Sequence, residues 1–395
     1  MTGSPAAMNP SRLWPALVEE SFLTGLRDAV AKHVAPQADQ IDHEDVYPTE
    51  AIKALARLGY ASLTLPSVYG GEDASFAHCA AVFEEASYAS AAVGISLITI
   101  LQAQTILCMF ASDSLKAAVL PEFRQGLITS YALTEANHGS DIRSLDTKAV
   151  RRGDQWILNG RKSFITSGSA AEAYVILAET ERGVSTFFVR RGFPGVSTFK
   201  GPNASTFGLR NGPHVDLVLE DVAVPFDHMI GTEGKGVRQA VTTLDFSRTM
   251  AAAISVGIAR AAFDGALRFA EKRVVFDQPV LSLQGIQWYF AEMLTEIDAA
   301  RLLTYEAASA LDRHDQIARF SSEAKLMASR VATETASRAV QICGAYGVME
   351  SAPFGRYLRD AKAYEIAGGS SEILKNTIAK RLVDMVPPSI ASTKS

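Results

Sequence analysis

The hydrophobic pattern of this chain changes twice, and these two changes constrain the fold more than any other feature. Apolar residues recur with helical periodicity in the first third, for example over 22–34 and 49–58. Short apolar runs divided by turns follow, and long helical patterns then return. This order predicts an α+β fold with an N-terminal helical domain (12–125), a middle β domain (126–235) and a C-terminal helical bundle (236–386).

The middle zone predicts about seven or eight short strands. Apolar or alternating runs at 173–178, 185–189 and 214–219 are typical of strands. Asn159-Gly160 separates the apolar runs 156–158 and 162–165, and Asn-Gly is a strong signal for a two-residue hairpin turn. We therefore expect a hairpin at Asn159-Gly160.

The C-terminal zone predicts long helices that are buried on several faces. Their expected spans are 237–274, 283–311, 318–342 and 371–383. Helices of this length and apolar content suit a four-helix bundle. Residues 387–395 are expected to form a frayed tail.

Composition excludes several classes of function. The chain has 395 residues, 48% of them hydrophobic, and a net charge of -5 without a long basic stretch, which argues against nucleic acid as a partner. Its three cysteines, Cys79, Cys108 and Cys343, lack the spacing of a disulfide framework or a metal site, and we expect them to be buried thiols.

No targeting or membrane segment is expected. Residues 1–10 lack a basic region followed by an apolar one, so they do not predict a secretory signal. The apolar stretch 91–107 is interrupted by polar residues and predicts a buried helix, not a membrane span. The predicted location is the cytoplasm.

Two turns in the β zone carry groups that suit a phosphate or a flat ring. Residues 131–141 combine hydroxyls, a glycine and adjacent backbone N–H groups, and such a turn can bind a pyrophosphate. A second turn, 164–168, contains Thr166 and Ser167. Taken alone, each turn is more typical of an ordinary structural loop.

Five segments taken together resemble the acyl-CoA dehydrogenase family over about residues 15–385. They are 131–141, 159–168, 219–225, 273–293 and 341–372, which follow one another at the spacing of that family. The resemblance implies a helical N-terminal domain, a middle β-barrel-like domain and a C-terminal four-helix bundle. It also implies FAD in the cleft between them, an acyl thioester substrate on CoA or a carrier protein, and a homotetramer or homodimer.

The resemblance assigns roles to individual residues. Expected FAD contacts within one subunit are Leu133, Thr134, Ser140, Phe164, Thr166, Ser370 and Glu372. Expected contacts with the FAD of a neighbouring subunit are Arg273, Phe276, Gln341 and Gly344. Asp245 and Arg248 are expected to meet the acyl-CoA ligand. A permanent cation such as Arg273 would form charge-assisted hydrogen bonds with a diphosphate.

The usual proton acceptor of the family is missing. The segment 364–373 resembles the signature that brings a carboxylate to the flavin, but the carboxylate position holds Gly368. The second position where relatives carry a base holds Ser247, whose hydroxyl has negligible basicity without an activator. Gly368 keeps its backbone N–H, which can still stabilise an enolate.

The missing base leaves three functions open. The first is an FAD-dependent oxidoreductase whose chemistry departs from simple α,β-desaturation, such as elimination of a sulfinate-type group or oxidation of a hydroxyacyl thioester. The second is a flavin-dependent oxygenase on the same fold, and the third a non-catalytic protein that binds FAD or acyl-CoA. Electron-transfer flavoprotein or oxygen would be the acceptor. Candidate substitute bases are Glu365, Tyr346, His138 and Glu135.

Overall fold

A computed structural model describes residues 17–201 and 204–385. The expectations for residues 1–10 and 387–395 lie outside this part. The first zone is helical, as predicted, with α1 (Glu20–His33), α2 (Ala38–Glu44), α3 (Thr49–Arg57), α4 (Phe76–Ala89), α5 (Ala91–Phe110) and α6 (Asp113–Val119).

Helix α5 is buried along most of its length because apolar residues surround its whole circumference. It packs against strand and helix neighbours on several sides, and it belongs to the main core of the protein. Both α5 and Gly236–Lys272 are long and apolar enough to cross a membrane, but 78% and 83% of their most apolar windows are buried within the fold. Burial inside the protein accounts for their composition, as expected for 91–107.

The middle zone forms one mixed sheet of eight strands. The strands are β1 (Thr129–Ala132), β2 (Lys148–Arg152), β3 (Gln155–Ile165), β4 (Ala173–Thr180), β5 (Gly183–Arg190), β6 (Val196–Phe199), β7 (Val215–Pro225) and β8 (Met229–Ile230). Their order is β6-β7-β3-β2-β4-β5-β8, with β1 parallel to β4. The runs predicted at 173–178, 185–189 and 214–219 correspond to β4, β5 and β7.

The prediction of a hairpin at Asn159-Gly160 is wrong. Both residues lie inside the continuous strand β3, at a register shift where β3 pairs with β7. The side-chain amide of Asn159 donates to Asp221 on β7, and the Asp221 N–H donates back to Asn159. The turn that enters β3 is instead Gly153-Asp154, since Arg152 pairs with Gln155. A bulge uses the same residue types as a tight turn, so local sequence does not separate them.

Gly160→Ala is expected to lower the free energy of unfolding by about 1–3 kcal/mol, as overpacking does. Gly160 has φ +152°, and an added Cβ would lie 2.6 Å from the Thr147 Cα, a backbone atom directly before β2 that cannot move without shifting this strand. Gly153→Ala is the matched control, because Gly153 also has positive φ (+64°) but an added Cβ meets nothing within 4 Å. Chemical denaturation measures the free energy of unfolding of both variants. Equal losses would show that backbone strain alone matters at Gly160.

The third zone contains long helices, α7 (Gly236–Lys272), α8 (Gln284–Arg313), α9 (Ile317–Cys343), α10 (Phe354–Tyr364) and α11 (Ser371–Met385). Four of them confirm the predicted spans, while α10 is an additional helix that the sequence did not predict. A short hairpin, β9 (Val274–Val275) and β10 (Gln278–Pro279), follows α7. Helix α7 contacts α9, α4, α5 and α8, so it joins the two helical zones in one core.

Polar contacts fasten the β zone to the helices on both sides. The Leu209 N–H donates to the buried carboxylate of Asp360 on α10 at 2.6 Å, and burial raises the pKa of Asp360 to about 6. The preceding residue, Gly208, lies against the Arg359 carbonyl, where an added Cβ would clash. Arg359 in turn donates to Asp42 on α2 at 2.9 Å. These contacts hold the three zones around a shared cleft.

Candidate active site

A cleft of about 670 Å³ lies where α5, α7, the β zone and the segment after α10 meet. Its lining includes ten of the fifteen residues predicted from the sequence: Leu133, Thr134, Ser140, Phe164, Thr166, Asp245, Ser247, Arg248, Gly368 and Ser370. Residues more than 200 positions apart in the sequence are therefore brought to one cavity.

The turn after β1 presents two hydroxyl groups at the cleft. The side chains of Thr134 and Ser140 line it and form no hydrogen bond with the part of the chain that the structure describes. The turn is tied to β3 because the Ser163 N–H donates to the Thr134 carbonyl at 2.9 Å. Both hydroxyls are therefore held in place with their bonding capacity available to a ligand.

A buried ion pair anchors this turn from behind. Glu135 accepts from Lys162 Nζ at 2.8 Å, and both side chains are almost fully buried. Glu135 also accepts the N–H groups of Asp146 and Thr147. Burial raises the pKa of Glu135, but the bonds from Lys162 and Thr147 outweigh it and leave the pKa lowered. The carboxylate is thus fully occupied as a structural anchor.

Phe164 shows the geometry of a residue held for a ligand. Its φ of +57° is unusual for an aromatic side chain, and the residue is 67% exposed although it lines the cleft. Strain of this kind persists only where the surrounding structure imposes it, and it clusters at functional sites. Thr166, two residues further along the chain, also lines the cleft. An exposed ring and a hydroxyl in one cleft suit a flat ligand with a polar edge.

These features fit the FAD that the resemblance implies. Besides the ring and hydroxyls, the buried Tyr131 hydroxyl has no hydrogen-bond partner among the described residues, and Tyr131 lines the same cleft. A buried hydroxyl without a partner costs free energy unless a ligand or water satisfies it. Leu133, Thr134, Ser140, Phe164 and Thr166 would hold the group, which supplies hydride and electron transfer when bound.

The opposite wall carries one ion pair on α7. Arg248 Nη1 donates to Asp245 at 2.9 Å, and both residues are buried. Burial raises the pKa of Asp245, against the attraction of Arg248. Ser247 lies between them in sequence, and its hydroxyl donates to the Thr243 carbonyl at 3.0 Å, so its proton is already used. This wall offers a cation and a hydroxyl acceptor, not a free base.

The loop after α10 brings backbone to the cleft where a carboxylate was expected from the resemblance. Gly368 has φ +71°, and an added Cβ would meet nothing within 4 Å. The Gly368 N–H forms no hydrogen bond within residues 17–201 and 204–385. Its carbonyl accepts from Arg248 Nε at 3.3 Å. The loop thus presents an available N–H donor and empty space at the cleft.

The other five predicted residues do not line the cleft. Arg273, Gln341, Gly344 and Glu372 are exposed, and Phe276 is 89% exposed in the hairpin after α7. The resemblance assigned four of them to the FAD of a neighbouring subunit, and their exposure on one subunit agrees with that assignment. Their roles, like those of the cleft residues, stay predictions.

None of the four candidate substitute bases lines the cleft in the described part of the chain. Glu135 is bound by Lys162, and His138 lies 3.6 Å from Asp146 outside the lining. Glu365 pairs with Lys362 at 2.7 Å, and Tyr346 is exposed beside Phe269. Glu135, His138 and Asp146 lie close enough to hold a metal ion, but the Lys162 ammonium already occupies the carboxylate.

Sequence reasoning did not identify two buried lysines that support the site. Lys162 holds the turn after β1, and Lys325 on α9 donates to the Gly369 carbonyl at 2.7 Å. A signal was present, because each lysine occupies a position that its element's pattern marks as buried. Buried lysines need a partner, but the pattern does not show which partner.

Comparisons with known proteins agree with this geometry. Family models described as acyl-CoA dehydrogenase N-terminal, middle and C-terminal domains match residues 18–126, 130–222 and 234–383. Cyclohex-1-ene-1-carbonyl-CoA dehydrogenase of Geobacter metallireducens is 36% identical over 377 residues, which cover 93% of this chain and 99% of that protein.

Solved structures give the same result. Butyryl-CoA dehydrogenase from Megasphaera elsdenii superposes with a TM-score of 0.89 at 33% identity, over 92% of this chain and 97% of that one. A chain from a study of the electron transferring flavoprotein of Acidaminococcus fermentans has a TM-score of 0.89 at 30% identity, over 93% and 98% of the two chains.

Proposed function

Because the chain belongs to the acyl-CoA dehydrogenase family, whose members use FAD and act on acyl-CoA, we propose that it is an oxidoreductase whose chemistry departs from simple α,β-desaturation. Its substrates are acyl thioesters whose α-proton is unusually acidic or that lose another group. Elimination of a sulfinate-type group and oxidation of a hydroxyacyl thioester are reactions of this kind.

One observation supports this proposal above the others. Among the described residues that line the cleft, Asp245 is the single carboxylate, and it already accepts from Arg248 and Ser321. Gly368 and Ser247 offer no basic group. A positioned general base contributes about 10²–10⁴-fold to a rate, so a substrate with an ordinary α-proton would react slowly here.

The residues of the chain can still bind and polarise a thioester. The Gly368 N–H is available to donate to the thioester carbonyl and so to stabilise negative charge that develops on its oxygen. The Arg248 cation adds positive potential beside the same loop. The cleft therefore favours an enolate without itself supplying the acceptor for the proton.

An anaerobic reduction experiment tests the proposal. We expect the purified protein to carry FAD and its visible absorbance to bleach, without oxygen, when it is mixed with acyl-CoA thioesters that have an acidified α-proton and a β-hydrogen to transfer. A thioester with a β-leaving group should instead release that group while the flavin stays oxidised, because elimination transfers no hydride. Simple saturated acyl-CoA thioesters should bleach it about 10²–10⁴-fold more slowly, because the base is missing. Equal rates with both groups would contradict the proposal.

The same experiment separates the two alternatives. Product that forms only with reduced flavin and oxygen would identify an oxygenase and contradict the dehydrogenase chemistry. Tight binding of FAD and acyl-CoA without bleaching or product under either condition would identify a non-catalytic protein. The fit of hydroxyls, strained Phe164 and unpartnered Tyr131 to a flavin supports all three functions equally.

Further parts of the proposal concern partners and organisation. The thioester carrier is CoA or a carrier protein, and the acceptor is electron-transfer flavoprotein or oxygen. Homotetramers are typical of this family, and we propose a homotetramer here with Arg273, Phe276, Gln341 and Gly344 at the neighbour's FAD. The domain boundaries 12–125, 126–235 and 236–386 and the cytoplasmic location stay predictions.

A further inference from the structure

We propose that Lys325 is a positioning residue: together with Arg248 it holds the Gly368-Gly369 loop so that the Gly368 N–H is presented to the bound thioester. This inference rests on the proposed function, because it assigns how the same site stabilises an enolate. It adds to that function a residue outside the cleft lining, to which the resemblance assigns no role.

Two cations bind two consecutive carbonyl oxygens of the loop. Lys325 Nζ donates to the Gly369 carbonyl at 2.7 Å, and Arg248 Nε donates to the Gly368 carbonyl at 3.3 Å. The two side chains come from different helices, α9 and α7. Fixing both carbonyls fixes the peptide planes on either side of Gly369, and so the backbone of the loop on its C-terminal side.

The loop needs such external contacts because it has no side chains of its own to pack. Gly368 and Gly369 have φ +71° and +110°, values that side chains rarely allow. Glycine loses more conformational freedom on folding than any other residue, so two adjacent glycines make the least constrained kind of loop. The N–H groups of Ala367 and Ser371 donate to the Ala363 and Glu365 carbonyls and hold the two ends of the loop. The two cationic donors add the contacts to the glycines between these ends.

Lys325 occupies an environment that is costly for an ammonium group. Its side chain is fully buried, and no carboxylate of the described residues lies within ion-pair distance. Asp245, the carboxylate that lines the cleft, pairs with Arg248. An apolar side chain would pack there without the desolvation cost of a charge. What the ammonium provides, and an apolar side chain could not, is the hydrogen bond to the Gly369 carbonyl.

The charge of Lys325 is also titratable in an accessible range. Burial and then the neighbouring Arg248 cation lower the pKa of Lys325 to about 8, while Glu365 and Glu372 act in the opposite direction. Both glutamates have lowered pKa values and stay ionised above neutral pH. Raising the pH through 8 therefore removes the positive charge from Lys325 and weakens its hold on the carbonyl.

Binding of acetoacetyl-CoA tests this inference. The enolate of this β-keto thioester carries the charge that the loop would stabilise, and its formation needs no hydride transfer and no base from the protein. We expect Lys325→Met, in the full-length FAD-loaded protein, to weaken enolate binding at pH 7 by about 10–100-fold, as for a lost hydrogen bond to a charged group. A titration with acetoacetyl-CoA, followed by the ultraviolet absorbance of the bound enolate, measures the Kd of each protein.

The pH profile separates positioning from simple damage to the fold. The ratio of the Kd of Lys325→Met to that of the unmodified protein should be largest near pH 7. It should fall toward one well above pH 8, where Lys325 is neutral in the unmodified protein as well. A ratio that is the same at every pH would overturn the inference, since structural damage has no reason to follow the ionisation of Lys325.

A matched control and a second variant complete the experiment. Lys362→Met removes a lysine that is half exposed, lies near the same loop and pairs with Glu365 without touching a loop carbonyl, and it should leave enolate binding unchanged. If Lys325→Met does not fold, Lys325→Gln replaces it; this variant keeps a donor without the charge and should weaken enolate binding at pH 7 relative to the unmodified protein, by less than the loss given for Lys325→Met. Unchanged binding in folded Lys325 variants overturns this inference alone. No binding of acetoacetyl-CoA by the unmodified protein overturns the proposed function with it.

Discussion

Gly368→Glu is expected to raise the rate of flavin reduction by a simple saturated acyl-CoA by about 10²–10⁴-fold. This range is the usual contribution of a positioned general base, and it corresponds to about 3–5 kcal/mol of barrier. The expectation follows from the two vacant base positions, Gly368 and Ser247, in a cleft whose other features fit the family.

The structure leaves room for the introduced side chain. A Cβ at Gly368 meets nothing within 4 Å, and the position lines the cleft. The φ of +71° costs about 1–2 kcal/mol for a residue with a side chain. That cost is small beside a typical stability of about 5–15 kcal/mol, so the variant should fold. The nearby Arg248 cation favours the ionised carboxylate, which is the form that accepts a proton.

Gly368→Gln is the matched control for this experiment. Glutamine has the same size and the same backbone strain as glutamate but no basicity, so any rate gain in Gly368→Glu alone reports proton transfer. Stopped-flow anaerobic reduction of equally FAD-loaded proteins gives the rates. A glutamate variant that is folded, flavin-loaded and no faster than the glutamine variant would refute the account of this position.

Glu135→Ala is expected to lower the free energy of unfolding by about 3–5 kcal/mol. The change leaves the ammonium of Lys162 buried without its counter-ion, and it removes the acceptor of the Asp146 and Thr147 N–H groups. Burial already lowers the pKa of Lys162 to about 8 even with Glu135 present. Since Glu135 holds the turn that carries Thr134, the variant should also retain less FAD.

An exposed ion pair provides the control for the buried pair of Glu135 and Lys162. Glu334 pairs with Arg330 at 2.9 Å on the surface of α9, and Glu334→Ala should change stability by less than about 1 kcal/mol. Denaturant titration of both variants, with FAD content measured on the purified proteins, tests the contrast. If Glu135→Ala is no less stable than Glu334→Ala, the buried pair is not the anchor of the turn. Lys162→Met should be milder than Glu135→Ala, because Glu135 then keeps its two N–H donors.

Long-range patterns in the sequence predicted the elements well, and local turn signals did not. Helices α7, α8 and α9 lie within about two residues of their predicted ends, because each carries a long periodic apolar pattern. Helix α10 escaped prediction since it is short and rich in charge. Asn159-Gly160 was misassigned because the contacts with Asp221 that accompany its register shift come from another strand, β7.

The sequence predicted which residues line the candidate site, but it did not predict which side chains hold those residues in place. Ten predicted residues line one cleft because the chain resembles a known family over nearly its whole length. The four substitute bases proposed from residue chemistry alone all lie outside that cleft. Their placement depends on which neighbour each side chain meets, as Lys162 meets Glu135 and Lys362 meets Glu365.

By itself the sequence determined the order of helical and β zones, the family and the absence of a carboxylate side chain at positions 247 and 368. These properties depend only on residue identity and on periodicity along the chain. Only the tertiary structure decided that Asp245 is engaged by Arg248, that Phe164 is strained toward the cleft, and that Lys325 reaches Gly369. Such contacts join residues far apart in sequence, and their energies depend on distance and burial, which exist only once the chain has folded.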